Sequence, residues 1–196
     1  MPTATVTEFQ AAETGQTAPT RRLVTSGPPD ADYPVPGEER FGDKELGEEV
    51  VDFLPAGDLE HIGAALIRER RSSLSHLADC EVTYLWKREG GKAKGKETLG
   101  AIQKPSGLLK YFAESTFVVW LAADHCRTGA LTAFQVEALL FRQLCSTGTD
   151  ETNGKPVLLP PDFQGYCAEL RGYGAWESDL RQMARTVRQM PLFDGE

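Results

Sequence analysis

The sequence predicts an α+β domain in which helices cover one face of a small, mostly antiparallel sheet. Two segments have apolar residues at helical spacing, at residues 58–74 and 133–147. Two others, CEVTYLW and TFVVWLA, are rich in β-branched and aromatic residues, as strands are. The predicted order is helix, hairpin, strand and three further helices, with no internal repeat.

The first helix is predicted in DLEHIGAALIRERRSSL, with Asp58 as its N-cap. A strand follows from Cys80 to Trp86, in which apolar and polar residues alternate. The next residues, KREGGKAKGK, combine a Gly-Gly turn signal with five basic side chains. They predict a hairpin with a basic tip, whose second strand covers residues 97–103.

The strongest predicted core strand is residues 116–122, because its nearly continuous apolar content indicates burial on both faces. Thr132 is placed to cap a helix over residues 133–147, and Gly148 to end it. Two more helical segments are predicted at residues 161–171 and 176–190, separated by GYG.

Charge and composition divide the chain into three parts. Residues 1–60 hold 13 acidic against 4 basic residues, whereas the remainder holds 16 against 17. We therefore predict an acidic, Pro- and Gly-rich, disordered leader at residues 1–55, a domain at 56–186 and a tail at 187–196. The leader either keeps the protein soluble, which we favour, or steers it towards a basic partner.

The composition indicates a cytoplasmic protein. No apolar run approaches the ~20 residues that cross a bilayer, and MPTATVTEFQ lacks the features of a secretory signal. The four cysteines are scattered without a C-x-x-C pair, which indicates reduced structural thiols rather than disulfides or a zinc ribbon.

The helix containing QVEALLFRQLCS can be compared with a metal-binding template. A zincin places two histidines four residues apart on one helical face, with a glutamate after the first as general base: H-E-x-x-H. At that spacing this helix carries Arg142, Gln143 and Ser146. None of the three supplies the imidazole or carboxylate that the template needs at its position.

Between Cys80 and Asp179 the chain resembles the putative phage metallopeptidase family. The resemblance rests on CEVTYLWKREGGKAKGKETLG, TFVVWLAAD, LTAFQVEALL and RGYGAW. It implies a zincin-like fold in which LT-x-x-Q-x-x-ALL precedes H-E-L-C-H. Arg142 then matches the first histidine, Gln143 the glutamate and Ser146 the second histidine, while Pro161 matches a third, histidine ligand.

With these departures the resemblance implies a catalytically degenerate protein without metal or cofactor that acts by binding other proteins. Gln143 cannot take a proton from water, and Arg142 brings a permanent positive charge to a dication site. The Arg142 guanidinium either pairs with Glu169 or another carboxylate, or extends to solvent, which we favour.

An alternative is an active zinc-dependent peptidase or other hydrolase with non-standard ligands, such as His125, Cys145, Asp162 or Glu169. Asp124, His125 and Cys126 follow the core strand, but adjacent residues of an extended chain point to opposite faces, so we expect structural roles for them. His61 and His76 are expected at the surface or at helix ends.

A third possibility is a nucleic-acid-binding module that uses the basic tip, with Lys87, Arg88, Lys92, Lys94 and Lys96. The domain outside the leader is nearly neutral, which argues against this function.

The C-terminal residues Gln189, Met190, Pro191, Leu192 and Phe193 resemble the bacterial sliding-clamp-binding peptide, whose pattern is Q-x-x-L-F. Leu and Phe would anchor in an apolar pocket while Gln hydrogen-bonds at its rim. The tail therefore predicts a protein partner, a host or replication factor such as the sliding clamp. Folding of Leu192 and Phe193 back onto the domain is the alternative.

Overall fold

The computed structural model describes residues 23–25, 27–43, 45–93, 95–161, 167–178 and 180–181. Its strands are β1 (Phe53–Pro55), β2 (Val82–Lys87), β3 (Lys92–Ala93), β4 (Lys96–Glu97), β5 (Gly100–Gln103), β6 (Phe117–Ala122), β7 (Thr147–Thr149) and β8 (Pro156–Leu158). Its helices are α1 (Gly57–Glu69), α2 (Arg71–Leu74), α3 (Leu108–Phe112), α4 (Ala123–Thr128), α5 (Ala133–Leu144) and α6 (Cys167–Tyr173). Short 3-10 turns occupy Glu38–Phe41 and Ser75–Leu77.

The main sheet has four strands in the order β1-β2-β6-β5. β1 pairs with β2 and β5 pairs with β6 in antiparallel fashion, whereas the central pair, β2 and β6, is parallel. Two small antiparallel ribbons, β3-β4 and β7-β8, lie outside it. The prediction of an α+β fold with a mostly antiparallel sheet is confirmed.

The predicted hairpin between β2 and β5 is wrong, because β6 lies between these two strands. The basic turn instead forms its own ribbon, β3-β4. The physical reason is the composition of β6. Five of its six residues are buried, and only an interior position satisfies both of its hydrogen-bonding edges while covering both faces.

The core lies between the sheet and the helices α1 and α5. α5 packs against β5 and β6, and α1 packs against β2 and α5. Phe117, Val119 and Leu121 of β6 belong to this core, whereas the buried Trp120 faces away from it. The Lys87 ammonium lies over the Trp120 ring, 4.7 Å from its centroid.

The predicted N-cap of the first helix is also wrong. α1 begins at Gly57 without a side-chain cap, and Asp58 instead accepts hydrogen bonds from the Trp86 indole at 3.1 Å and the Tyr33 hydroxyl at 3.0 Å. Asp58 therefore joins α1 to β2 and to the preceding chain.

The predicted leader includes segments that contact the domain. Leu23 and Phe41 are buried in its core, Tyr33 packs against Trp86 with ring centroids 6.2 Å apart, and Asp32 forms an isolated bridge with Thr132. The division of the chain at residues 55 and 186 stays a prediction.

α5 begins as predicted but ends earlier. Thr132 and Gln135 form a capping box: the Thr132 hydroxyl accepts from the Gln135 amide, and Gln135 Oε1 accepts from the Thr132 amide at 2.9 Å. The helix ends at Leu144, and Gly148, predicted to end it, lies in β7. The Ser146 and Thr147 hydroxyls donate hydrogen bonds to the Gln143 and Leu144 carbonyls at this end.

The predicted helix at residues 161–171 overlaps α6, which is described over Cys167–Tyr173. Gly174, with a φ of 64° that suits glycine, ends it by donating its N–H to the Leu170 carbonyl. Residues 162–166 and most of the predicted last helix lie outside the described residues. No helix in the described ranges is long and apolar enough to span a bilayer.

We expect Thr132→Ala to lower the free energy of unfolding by about 1 kcal/mol, because it removes the acceptor for the first turn of α5. Thr132→Ser retains that hydroxyl and should lose much less. Urea unfolding midpoints of both variants test this, and equal losses would contradict a role for the hydroxyl.

Candidate functional site

Arg142 lies in the last turn of α5, on the face that the resemblance associates with metal binding. Its guanidinium donates to Glu177 Oε2 at 2.6 Å, and each side chain is 28% exposed. Of the two alternatives drawn from the sequence, the structure therefore has the guanidinium paired with a carboxylate. The carboxylate that the structure shows at this guanidinium is that of Glu177.

Ser146 lies just beyond the helix, where its hydroxyl donates to the Gln143 carbonyl at 2.6 Å. The Thr147 hydroxyl donates to the Leu144 carbonyl at 2.7 Å and contacts His76 Nε2 at 2.7 Å. These hydroxyls add hydrogen bonds to the last carbonyls of α5, where the chain turns into β7. The Ser146 proton is thereby directed at the protein backbone.

His76 is the helix-end histidine that the sequence suggested. Its ring is partly buried against Thr147, and burial is the main cause that lowers its pKa. A neutral imidazole in this position helps to order the turn after α5.

Two buried carboxylates, Glu137 and Glu169, lie between α5 and the C-terminal helices. Glu137, 1% exposed, accepts from the Tyr173 hydroxyl at 2.7 Å and from the Val24 amide at 3.1 Å. Glu169, fully buried, accepts from the Trp176 indole at 2.6 Å. The sequence reasoning missed Glu137, although a charged residue among the apolar positions of QVEALL is a usable signal.

Burial raises the pKa of Glu137, while the hydrogen bonds from Tyr173 and Val24 and the charge of Arg70 oppose the rise. Burial and the Glu137 charge raise the pKa of Tyr173, which therefore keeps its proton and acts as a donor. Arg70 lies over the Tyr173 ring, 5.5 Å from its centroid. This cluster ties α5, α6 and the residues near Val24 together.

A cleft of about 260 Å³ opens beside the end of α5 and is lined in part by Ser73, Cys145, Cys167 and Arg171. The described residues that line it include two thiols and one guanidinium, and none of them is a carboxylate or an imidazole.

Asp124, His125 and Cys126 lie in the helix α4 rather than on an extended strand end, which corrects the prediction. Asp124 Oδ1 accepts from the Gly90 amide at 2.9 Å, and His125 Nδ1 lies 3.2 Å from the Thr98 carbonyl. A Cβ on Gly90 would meet that carbonyl at 2.3 Å, so glycine permits the close approach. The first turn of α4 thus anchors the basic ribbon.

Cys126 is fully buried, and burial raises the pKa of its thiol to about 12. A protonated, enclosed thiol is neither a nucleophile nor a metal ligand. The structural role expected for the Asp124–Cys126 segment fits these contacts.

The proposed alternative ligands do not converge in the described part of the chain. No group of three or more His, Cys, Asp or Glu side chains there is arranged to hold a metal ion. His125 is on α4, whereas Glu169 is on α6 and Cys145 follows α5. Asp162 lies outside the described residues, as do the tail residues Gln189, Met190, Leu192 and Phe193.

The basic tip is partly neutralised by residues preceding the domain. Glu38 pairs with Arg88 and, at 2.9 Å, with Arg127. Lys87 is engaged with Trp120, and Lys94 lies outside the described residues. These contacts leave less positive charge for a nucleic acid than the sequence suggests.

Comparison with known proteins identifies a family whose model matches most of the chain. The model of the putative phage metallopeptidase family matches residues 51–188, which include the whole four-stranded sheet and the helices α1 to α6. The chain belongs to this family. No curated protein and no solved structure matches the chain.

The family description implies a metal, and the residues at the end of α5 do not fit zinc. Structural and catalytic zinc sites are built from Cys, His, Asp and Glu side chains, whereas Arg142 is a permanent cation held by Glu177. The Ser146 hydroxyl donates a hydrogen bond to the backbone carbonyl of Gln143. No hydrolytic step through a metal at this helix follows from these residues.

The raised pKa of Glu137 predicts a pH dependence of stability. A carboxyl whose pKa is higher in the folded chain stabilises the fold most below its unfolded value, near 4.5, and this contribution is lost as the pH rises through the folded value. The unfolding free energy of the wild type, relative to Glu137→Gln, should therefore increase as the pH falls from about 7 to about 5. Urea unfolding at both values measures it.

Glu151→Gln, in an exposed loop, controls for removing a carboxylate at the surface. A wild type that loses stability relative to Glu137→Gln over the same pH range would contradict the effect of burial.

Proposed function

We propose that this chain is a metal-free member of the phage metallopeptidase family that acts by binding another protein. The observation that carries the proposal is the Arg142–Glu177 ion pair. It supports the view that a side chain supplies the positive charge at the end of α5, so that the chain has no need for a metal there.

The charge balance supports the same conclusion. A unit charge at about 4 Å from another repels it by about 4 kcal/mol at an effective dielectric near 20, and a dication would roughly double this value. Glu177 compensates one positive charge, that of Arg142. A zinc ion beside this pair would need several further carboxylates, thiolates or imidazoles, and no group of three or more such side chains among the described residues is arranged to hold a metal ion.

The partner that we propose is a host or replication protein, with the bacterial sliding clamp as the specific candidate. The support is the sequence Gln189 to Phe193, which follows the Q-x-x-L-F pattern. Its Leu and Phe are the kind of anchors that dominate peptide binding in an apolar pocket. We place this activity in the bacterial cytoplasm, where the scattered cysteines would remain reduced.

Elemental analysis tests the loss of the metal site. We expect the purified wild type, incubated with equimolar zinc and dialysed, to retain well below one zinc per chain. A variant with Arg142→His, Gln143→Glu, Ser146→His and Pro161→His replaces all four departures and is the matched control, which should retain more. One tightly held zinc per wild-type chain would contradict the proposal and support the hydrolase alternative.

Replacement of the tail anchors tests the clamp. We expect Leu192→Ala with Phe193→Ala to weaken binding to purified bacterial sliding clamp at least about tenfold, as loss of two apolar anchors does. Surface plasmon resonance measures the dissociation constants. Asp194→Ala with Glu196→Ala changes the same tail outside the pattern and should have little effect.

Unchanged binding by the Leu192/Phe193 variant, or no binding by the wild type, would exclude the clamp. Capture from host lysate with chains that have or lack residues 187–196 then shows whether another protein binds the tail.

A further inference from the structure

The connection between β5 and β6 exposes an apolar helix. α3 has the sequence LLKYF and contains no buried residue. Leu108, Leu109, Tyr111 and Phe112 are 75%, 70%, 85% and 72% exposed. The rings of Tyr111 and Phe112 contact each other edge to face, with centroids 5.3 Å apart.

Four large, exposed apolar side chains within five residues differ from ordinary surface hydrophobicity. The other large apolar residues exposed in the described chain are Leu46, Phe53, Leu158 and Leu159, in three separate segments. Patches of several hundred Å² on soluble proteins mark interaction surfaces, whereas isolated apolar residues do not. α3 therefore has the character of a contact surface.

The size of the α3 patch suits a contact between two copies of the chain. Each of the four side chains offers on the order of 100–200 Å², so the patch amounts to roughly 500 Å². A two-fold contact buries this patch on both copies, about 1,000 Å² in total, which is the lower limit for a specific interface.

Charge favours a self-complementary contact. Lys110 and Glu114 flank the aromatic residues, both are exposed, and neither has an ion-pair partner among the residues that the structure describes. A two-fold axis near Phe112 would make the two α3 segments antiparallel, so that the Lys110 end of each copy faces the Glu114 end of the other. A uniformly acidic or basic partner would match only one of them.

We propose that α3 is the contact surface of a homodimer of this chain, in which the apolar side chains of two α3 helices pack together about a two-fold axis near Phe112. Two-fold dimers use the same patch on both subunits, as this arrangement requires. The proposal is independent of the metal site and of the C-terminal tail.

Sedimentation equilibrium of the full chain tests the dimer. The wild type should show a concentration-dependent monomer–dimer equilibrium, and Tyr111→Ser with Phe112→Ser should raise the dissociation constant at least about tenfold. Leu46→Ser with Leu158→Ser removes apolar residues that are exposed elsewhere and should leave it unchanged. A wild type that stays monomeric at all concentrations would overturn the proposal, whether or not it binds lipid vesicles or another protein.

A charge exchange provides a second test that does not depend on apolar truncation. Lys110→Glu alone and Glu114→Lys alone place like charges opposite each other and should weaken the dimer, while the double variant should restore it. An equimolar mixture of the two single variants should also recover association, because in the mixed dimer both cross-pairings join a glutamate of one variant to a lysine of the other. Failure of the double variant to recover association would contradict the two-fold pairing of Lys110 with Glu114.

Discussion

The fold depends on the burial of both faces of β6. Phe117, Val119 and Leu121 face the helical side, and Trp120 faces the other. A strand with this composition must be interior, so β2 and β5 take its two edges. Because α5 packs against β5 and β6, the same constraint fixes where α5 lies and which of its side chains face outwards at its C-terminal end.

α5 is held at its start, in its middle and at its end by hydrogen bonds that do not involve the Arg142 side chain. The capping box fixes its start, Glu137 joins its middle to Tyr173, and the hydroxyls of Ser146 and Thr147 satisfy its final carbonyls. The helix therefore presents Arg142 to Glu177 from a rigid frame. A frame of this kind can position an ion pair as well as it could position metal ligands.

The sequence predicted the elements whose patterns are local and missed the relations between distant segments. β6 and the start of α5 follow from apolar runs and from the Thr132 cap, so they were correctly placed. The position of β6 between β2 and β5 was missed. A Gly-Gly turn predicts that the strands on either side of it pair, but it carries no information about a strand further along the chain that pairs with both. Likewise Glu177 is 35 residues from Arg142, and no local pattern selects it over Glu169.

Under the proposed function an arginine takes the place of a metal at the end of α5, which changes what the fold requires. A zinc site depends on several ligands converging at once, and it binds metal only when they are deprotonated. An Arg–carboxylate pair needs one partner, and at 28% exposure it retains some hydration, which limits the desolvation cost. Under the proposed function, the end of α5 is then no longer restricted to imidazole and carboxylate side chains. Selection can act instead on surfaces that contact other proteins, such as the apolar α3 helix and the C-terminal tail.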